Sequence, residues 1–124
     1  MGLRILVVED EPDVMHIITH AMQAAGHTVV QAWGGEDAIR KAKALKPDLV
    51  LTDLAMPGMT GWQVARAVKD RAPEVSVVMM SGFGVEVAPE DLHTHGVDLV
   101  MPKPLQIQDV LRALASIRAG TGRP

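Results

Sequence analysis

The chain contains no cysteine and no tyrosine, and its aromatic residues are Trp33, Trp62 and Phe83. Without thiols there can be no disulfide scaffold, no thiolate zinc site and no cysteine nucleophile. Three aromatics are too few for the stacking platforms that hold single-stranded nucleic acid. There is no excess of positive charge: 12 Lys and Arg against 15 Asp and Glu give a net charge of −3 and a pI near 5.9. Direct nucleic-acid binding through a basic surface is therefore not expected. No apolar run approaches the roughly 20 residues of a membrane span, and Met1-Gly2-Leu3-Arg4 lacks the features of a signal peptide. A cytoplasmic setting with no membrane contact of its own is the expectation.

The 124 residues suffice for one domain, with 48% hydrophobic and 22% charged residues, an ordinary globular balance. Short apolar runs alternate with helical ones. Ile5–Val8, Thr28–Ala32, Leu49–Thr52, Val75–Met80 and Val97–Met101 are nearly continuously apolar, as strands are when both faces are covered. Helices are expected at about Pro12–Ala25, Glu36–Leu45, Gly61–Arg71, Pro89–His95 and Leu105–Arg118. In the first, Val14, Ile17, Ile18, Ala21, Met22 and Ala25 form the predicted inward stripe; in the last, Ile107, Val110, Leu111, Leu114 and Ile117 do. The result is an α/β fold, a doubly wound five-stranded parallel sheet with helices on both faces. Its core spans about residues 3–118, and the Gly- and Pro-rich residues 119–124 read as a flexible tail or linker stub.

Ligands of such sheets bind beyond the carboxyl ends of the strands. Glu9, Asp10 and Glu11 follow the first strand, Asp53 the third, Ser81 the fourth and Lys103 the fifth. They converge if the strand order is 2-1-3-4-5. Clustered carboxylates repel unless protonated or bridged by a metal, and Mg²⁺ takes oxygen ligands of this kind. An aspartate can attack phosphorus to give an acyl phosphate, and a cation and a hydroxyl can steady the transferred group. Each acid alone is more simply a turn or helix cap, and a lone lysine a solvated group. Their joint placement at four strand ends points to a phospho-acceptor site.

At these residues the sequence resembles the receiver domain of two-component response regulators. Val7-Val8-Glu9-Asp10-Glu11-Pro12 resembles the family's acidic motif, and Asp53-Leu54-Ala55-Met56-Pro57-Gly58-Met59-Thr60-Gly61 its acceptor loop. Met80-Ser81-Gly82 resembles the strand-four motif, and Lys103-Pro104 the strand-five motif. The resemblance implies the flavodoxin-like receiver fold. It implies that Asp53 accepts a phosphoryl group from a histidine kinase or histidine phosphotransfer domain. Glu9, Asp10, Asp53 and the Ala55 backbone carbonyl would hold Mg²⁺. Ser81 and Lys103 would engage phosphoryl oxygens, the Lys103–Pro104 bond would be cis, and Ala55 and Phe83 would gate the water of self-dephosphorylation.

Two positions depart from the family pattern. Val100 stands where many members carry the aromatic that swings inward on activation. Residues 82–89, with two glycines and a proline, predict a longer loop and a shortened fourth helix. Both alter the face formed by helix four, strand five and helix five, the family's common output and homodimer surface. These departures, with Gly96–Leu105, look more like receivers attached to hybrid sensor kinases than stand-alone ones, which would tether the chain to a membrane sensor.

Other readings compete. A phosphatase of the haloacid-dehalogenase type uses similar groups, but places its nucleophile after strand one with a second aspartate two residues on, where this chain has Ala55 after Asp53. A flavodoxin-like cofactor carrier needs a phosphate loop where three acids stand. A degenerate receiver would act as a phosphorylation-independent binding module. His16 and His20, at i and i+4, read as solvated residues rather than metal ligands; His93 and His95 as surface residues; Trp62 as a packing residue; and Gly34-Gly35 as a turn.

Overall fold

Valine, isoleucine, leucine and methionine dominate the five apolar runs, and in the computed structural model these pair as parallel strands. It describes residues 2–82, 87–103 and 106–118, the last segment without the side chains of Ile107, Leu114, Ile117 and Arg118. The chain order is β1 (Arg4–Val8), α1 (Pro12–Ala24), β2 (Thr28–Ala32), α2 (Gly35–Leu45), β3 (Leu49–Asp53), α3 (Gly61–Arg71), β4 (Ser76–Ser81), α4 (Pro89–His95), β5 (Leu99–Pro102) and α5 (Ile107–Arg118). The sheet order is β2-β1-β3-β4-β5, as expected, with every pairing parallel.

Side-chain alternation along each strand divides the core in two. Leu6, Val8, Val50, Val77 and Met79 face α2 and α3, while Ile5, Val7, Leu49, Leu51, Val78 and Met80 face α1 and α5. The central strands β3 and β4 are buried along their whole length, whereas β2 and β5, at the edges, are only partly covered. Among the described residues no helix is long and apolar enough to cross a membrane.

Local signals set the helix ends. Pro12 occupies the first turn of α1, where no backbone donor is needed. Thr60 and Gln63 form a reciprocal capping box at the start of α3. α4 stops at Gly96, whose φ of 75° is left-handed.

Several boundaries and faces differ from expectation. α1 buries Met15, Ile18 and Met22, while Ile17 is 58% exposed and Ala25 lies outside the helix. The inward face is centred on the 15-18-22 row; Val14 and Ala21 flank it, and Ile17 is turned about 100° from Ile18. Asp53 and Ser81 are the last residues of their strands rather than the first beyond them. β5 starts at Leu99, with Val97 buried just before it, and α5 starts at Ile107. In α5, Val110 is buried and Leu111 partly so. Expectations for residues 83–86, the Lys103–Pro104 bond, Leu105, the side chains of Ile107, Leu114 and Ile117, and residues 119–124 lie outside the described residues.

Candidate functional site

The register brings the strand ends together. Val8 of β1 pairs with Thr52 of β3, so Glu9 and Asp53 emerge side by side. Asp53 pairs with Met80, and Ser81 with Pro102, which sets Ser81 and Lys103 on the other side of Asp53. The Lys103 backbone N–H donates to Ser81 O at 2.8 Å, fixing where the lysine side chain departs.

Carboxylate oxygens of Glu9, Asp10 and Asp53 lie within 4.8 Å of one another. The Lys103 ammonium spans two of these groups, 3.0 Å from Asp53 Oδ2 and 3.1 Å from Glu9 Oε1. Glu9 is fully buried, and its Oε2 accepts the backbone N–H groups of Asp10 and Glu11 at 3.0 and 3.1 Å. Both oxygens of this carboxylate thus have donors. Its pKa is nevertheless raised, because burial, helped by the charge of Asp53, outweighs the Glu11 amide and Lys103. Burial also disfavours the Lys103 charge, but hydrogen bonds and charges from Asp53 and Glu9 prevail and raise its pKa. Asp53 is 5% exposed, and Asp10, half-buried, is the most open of the three clustered acids.

Glu9, Asp10, Asp53 and Lys103 are therefore brought together as expected. Ser81, 4% exposed and bonded to Lys103 through its backbone carbonyl, and the exposed Ala55 flank this set. The donor set suits a hard divalent cation: three carboxylates, all oxygen, one open toward solvent.

Two contacts at Asp53 have no separate signature in the sequence. A Cβ on Gly61 would lie 2.3 Å from the Asp53 carbonyl oxygen, so only glycine lets α3 start this close to the Asp53 backbone. The Thr52 hydroxyl donates to that same carbonyl at 3.1 Å. The glycine was legible as a helix start, but the close approach depends on how the loop after Asp53 folds back. Gly61 N–H donating to Leu54 O, at 2.8 Å, closes that loop.

His16 and His20 stack with ring centroids 6.4 Å apart on the exposed side of α1. Trp62 packs against the α2–α3 side of the core and against His95 at 4.8 Å. A cleft of about 1030 Å³ lies at the opposite end of the sheet, where Lys43, Lys46 and Arg71 mix with Asp48 and Glu74. It holds none of the strand-end residues, and the clustered carboxylates mark the chemistry better than its size does.

Comparison with known proteins agrees with this geometry. PilH of Pseudomonas aeruginosa is 32% identical over 94% of this chain and 98% of its own length. The chemotaxis protein CheY of Thermotoga maritima is 29% identical over 94% and 98%, respectively. The solved structure of the chemotaxis protein CheY4 of Vibrio cholerae superposes with a TM-score of 0.84 at 25% identity, covering 94% of this chain and 99% of that one. Residues 5–115 match the response regulator receiver domain, the central strands, the acidic cluster and Lys103 all falling inside the match, and the chain belongs to that family of two-component signalling receivers.

Proposed function

We propose that Asp53 is the phospho-acceptor, taking a phosphoryl group from a histidine kinase or histidine phosphotransfer domain, and that the chain catalyses this transfer on itself. The observation that carries this reading is the Lys103 ammonium bridging Asp53 and Glu9 beside Asp10. A carboxylate oxygen of Asp53 attacks phosphorus, the N–P bond of the phosphohistidine breaks, and the imidazole nitrogen keeps the electron pair and takes up a proton. Lys103, already at Asp53 Oδ2, offsets charge on the incoming group. Ser81, at the end of the neighbouring strand, is the hydroxyl donor for a second oxygen. Glu9, pinned by two amides, orients the lysine.

Glu9, Asp10, Asp53 and the Ala55 carbonyl would hold Mg²⁺. When bound, this ion neutralises phosphoryl oxygens that the three acids would otherwise repel. Asp10 is the open side of that cluster. The same groups support self-dephosphorylation by water.

The acyl phosphate draws Ser81 and Lys103 inward and shifts the connections after β4 and β5 between two populations. Val100, half-buried against the α2–α3 side of the core, has no ring to swing, so the response falls on Ser81 and the chain leading to α4. The readout is altered binding to a kinase, a phosphotransfer protein or another receiver, in the cytoplasm. Attachment to a hybrid sensor kinase is part of this reading and is settled by the genomic reading frame.

The test is intact mass after incubation with Mg²⁺ and acetyl phosphate, beside Asp53→Asn. One phosphoryl adduct that requires Mg²⁺ and is absent from the variant is expected. No adduct, with beryllofluoride leaving Trp62 fluorescence unchanged, would make the chain a phosphorylation-independent binding module.

A further inference from the structure

β2 is an outer strand of the sheet, bonded to β1 on one side only. Its Thr28 N–H and Ala32 O bond to Leu3 and Glu9, on the β1 side. Backbone groups alternate along a strand, so those of Val29 and Gln31 point outward. An exposed strand edge is a template for pairing with another chain. This one has no charge and no proline in Thr28-Val29-Val30-Gln31-Ala32, so two copies would meet there without like-charge repulsion.

Two side chains of α2 occupy that edge. Lys41 Nζ donates to Gln31 O at 2.6 Å, and Asp37 Oδ2 accepts from Trp33 N–H at 3.4 Å. The two are themselves paired at 3.0 Å. Gln31 O and Trp33 N flank Ala32, and these are the two groups that one residue of a neighbouring parallel strand would bond. An ordinary i,i+4 pair on a helix lies along the helix surface and touches no strand. Here both partners reach off the helix and are partly covered, at 35% and 23% exposure. Arg40 also bonds Asp37 Oδ1, holding the carboxylate in place.

We propose that the Asp37–Lys41 ion pair stands in for one residue of a sixth strand and keeps the outer edge of β2 closed to a second copy of this chain. Removing the lysine exposes the Gln31 carbonyl and leaves a five-residue, uncharged edge available for β2-to-β2 pairing. The opposite edge, β5, is four residues long and ends in Pro102, which has no N–H to offer.

The test compares sedimentation velocity of the wild-type chain, Lys41→Met and Asp37→Asn across concentration. Lys41→Met should self-associate about tenfold more tightly than wild type, the scale of one backbone hydrogen bond gained per copy. Asp37→Asn, which keeps the side-chain size and removes the carboxylate charge beside Lys41, should shift the same way by less. Because the chain has no cysteine, Thr28→Cys reports the edge directly. Its oxidative cross-linking should rise in the Lys41→Met background and not with Leu99→Cys, placed on β5 as the control. Both variants sedimenting as wild type, with unchanged far-UV circular dichroism, would overturn the proposal. So would association that cross-links only through Leu99→Cys. Should Lys41→Met fail to fold, Asp37→Asn decides by the same two readouts.

Discussion

The half of the sheet that carries the acids and the half that would answer them are built differently. β1 and β3 are buried from Ile5 to Val8 and from Leu49 to Asp53, between helices of 11 to 13 residues that each bury side chains. α4 has seven residues, none buried, and β5 has four, of which Met101 alone is buried. The carboxyl end of α4 is held largely by side chains of α3. Trp62 meets His95, Arg66 donates to Thr94 O at 3.2 Å, and Lys69 pairs with Asp98 at 2.8 Å. Segments with little buried apolar area open at low free-energy cost, while strands of a filled core open only with the whole domain. The proposed acceptor thus sits where geometry is rigid, and the expected response where a shift is cheap.

The largest effect should come from cutting into the rigid half. Leu51→Ala removes a side chain that is 1% exposed at the centre of β3 and should cost about 2–5 kcal/mol. Leu92→Ala, in α4, removes a half-buried side chain and should cost about 1 kcal/mol. Urea unfolding of the two variants checks the contrast. Equal losses would mean that α4 belongs to the same cooperative core.

Lys103→Met should come next. It leaves the buried Glu9 carboxylate facing Asp53 with two amides and no cation, at a cost of about 2 kcal/mol at pH 7. The Glu9 pKa, already raised by burial and by Asp53, rises further in the variant. An acid whose folded pKa lies above its unfolded one binds more protons when folded, so the deficit should shrink as pH falls from 7 toward 4.5. The alkaline side has the opposite logic. The folded Lys103 pKa lies above 10.5, so its contribution is complete below that pH and is lost as pH rises through the folded value. Thermal unfolding from pH 8 upward should therefore show wild type losing a component of stability above about pH 10.5 that Lys103→Met lacks. Parallel curves would show that the bridge contributes nothing to folding.

Much of this division was legible in the residues. Continuous apolar runs identify buried parallel strands, and polar groups at four strand ends mark the candidate site. The short α4 followed from Gly82, Gly84 and Pro89 on one side and Gly96 on the other. What escaped are relations between elements. Ile17 fits the apolar stripe of α1 by type, yet the helix is rolled so that Met15 is inside. Helical period alone does not choose between adjacent rows when both are apolar. Asp37 and Lys41 stand four residues apart on α2, and nothing in that spacing announces that β2 lies within reach of both. The approach of Gly61 to Asp53 is likewise a property of a closed loop and not of a motif.

The smallest effect is the one that most sharpens the comparison. Lys69 pairs with Asp98, and Asp98 Oδ2 also accepts the Val77 N–H at 2.7 Å, so this brace ties α3, β4 and the start of β5 together. Both partners are partly solvated, at 18% and 35% exposure, and Lys69→Met should lower global stability by only about 0.5 kcal/mol. Asp98 keeps its bond to Val77, so β4 stays in register. The loss should be concentrated in α4, where the lysine stem also lies against Gly96, the left-handed residue that ends the helix. Amide hydrogen exchange should accelerate about fivefold in α4, about 1 kcal/mol of local opening, with no matching change in β1 or β3. Acceleration of the same size in all these elements would show one cooperative unit, and the division between a rigid half around Asp53 and a yielding half around α4 would fail.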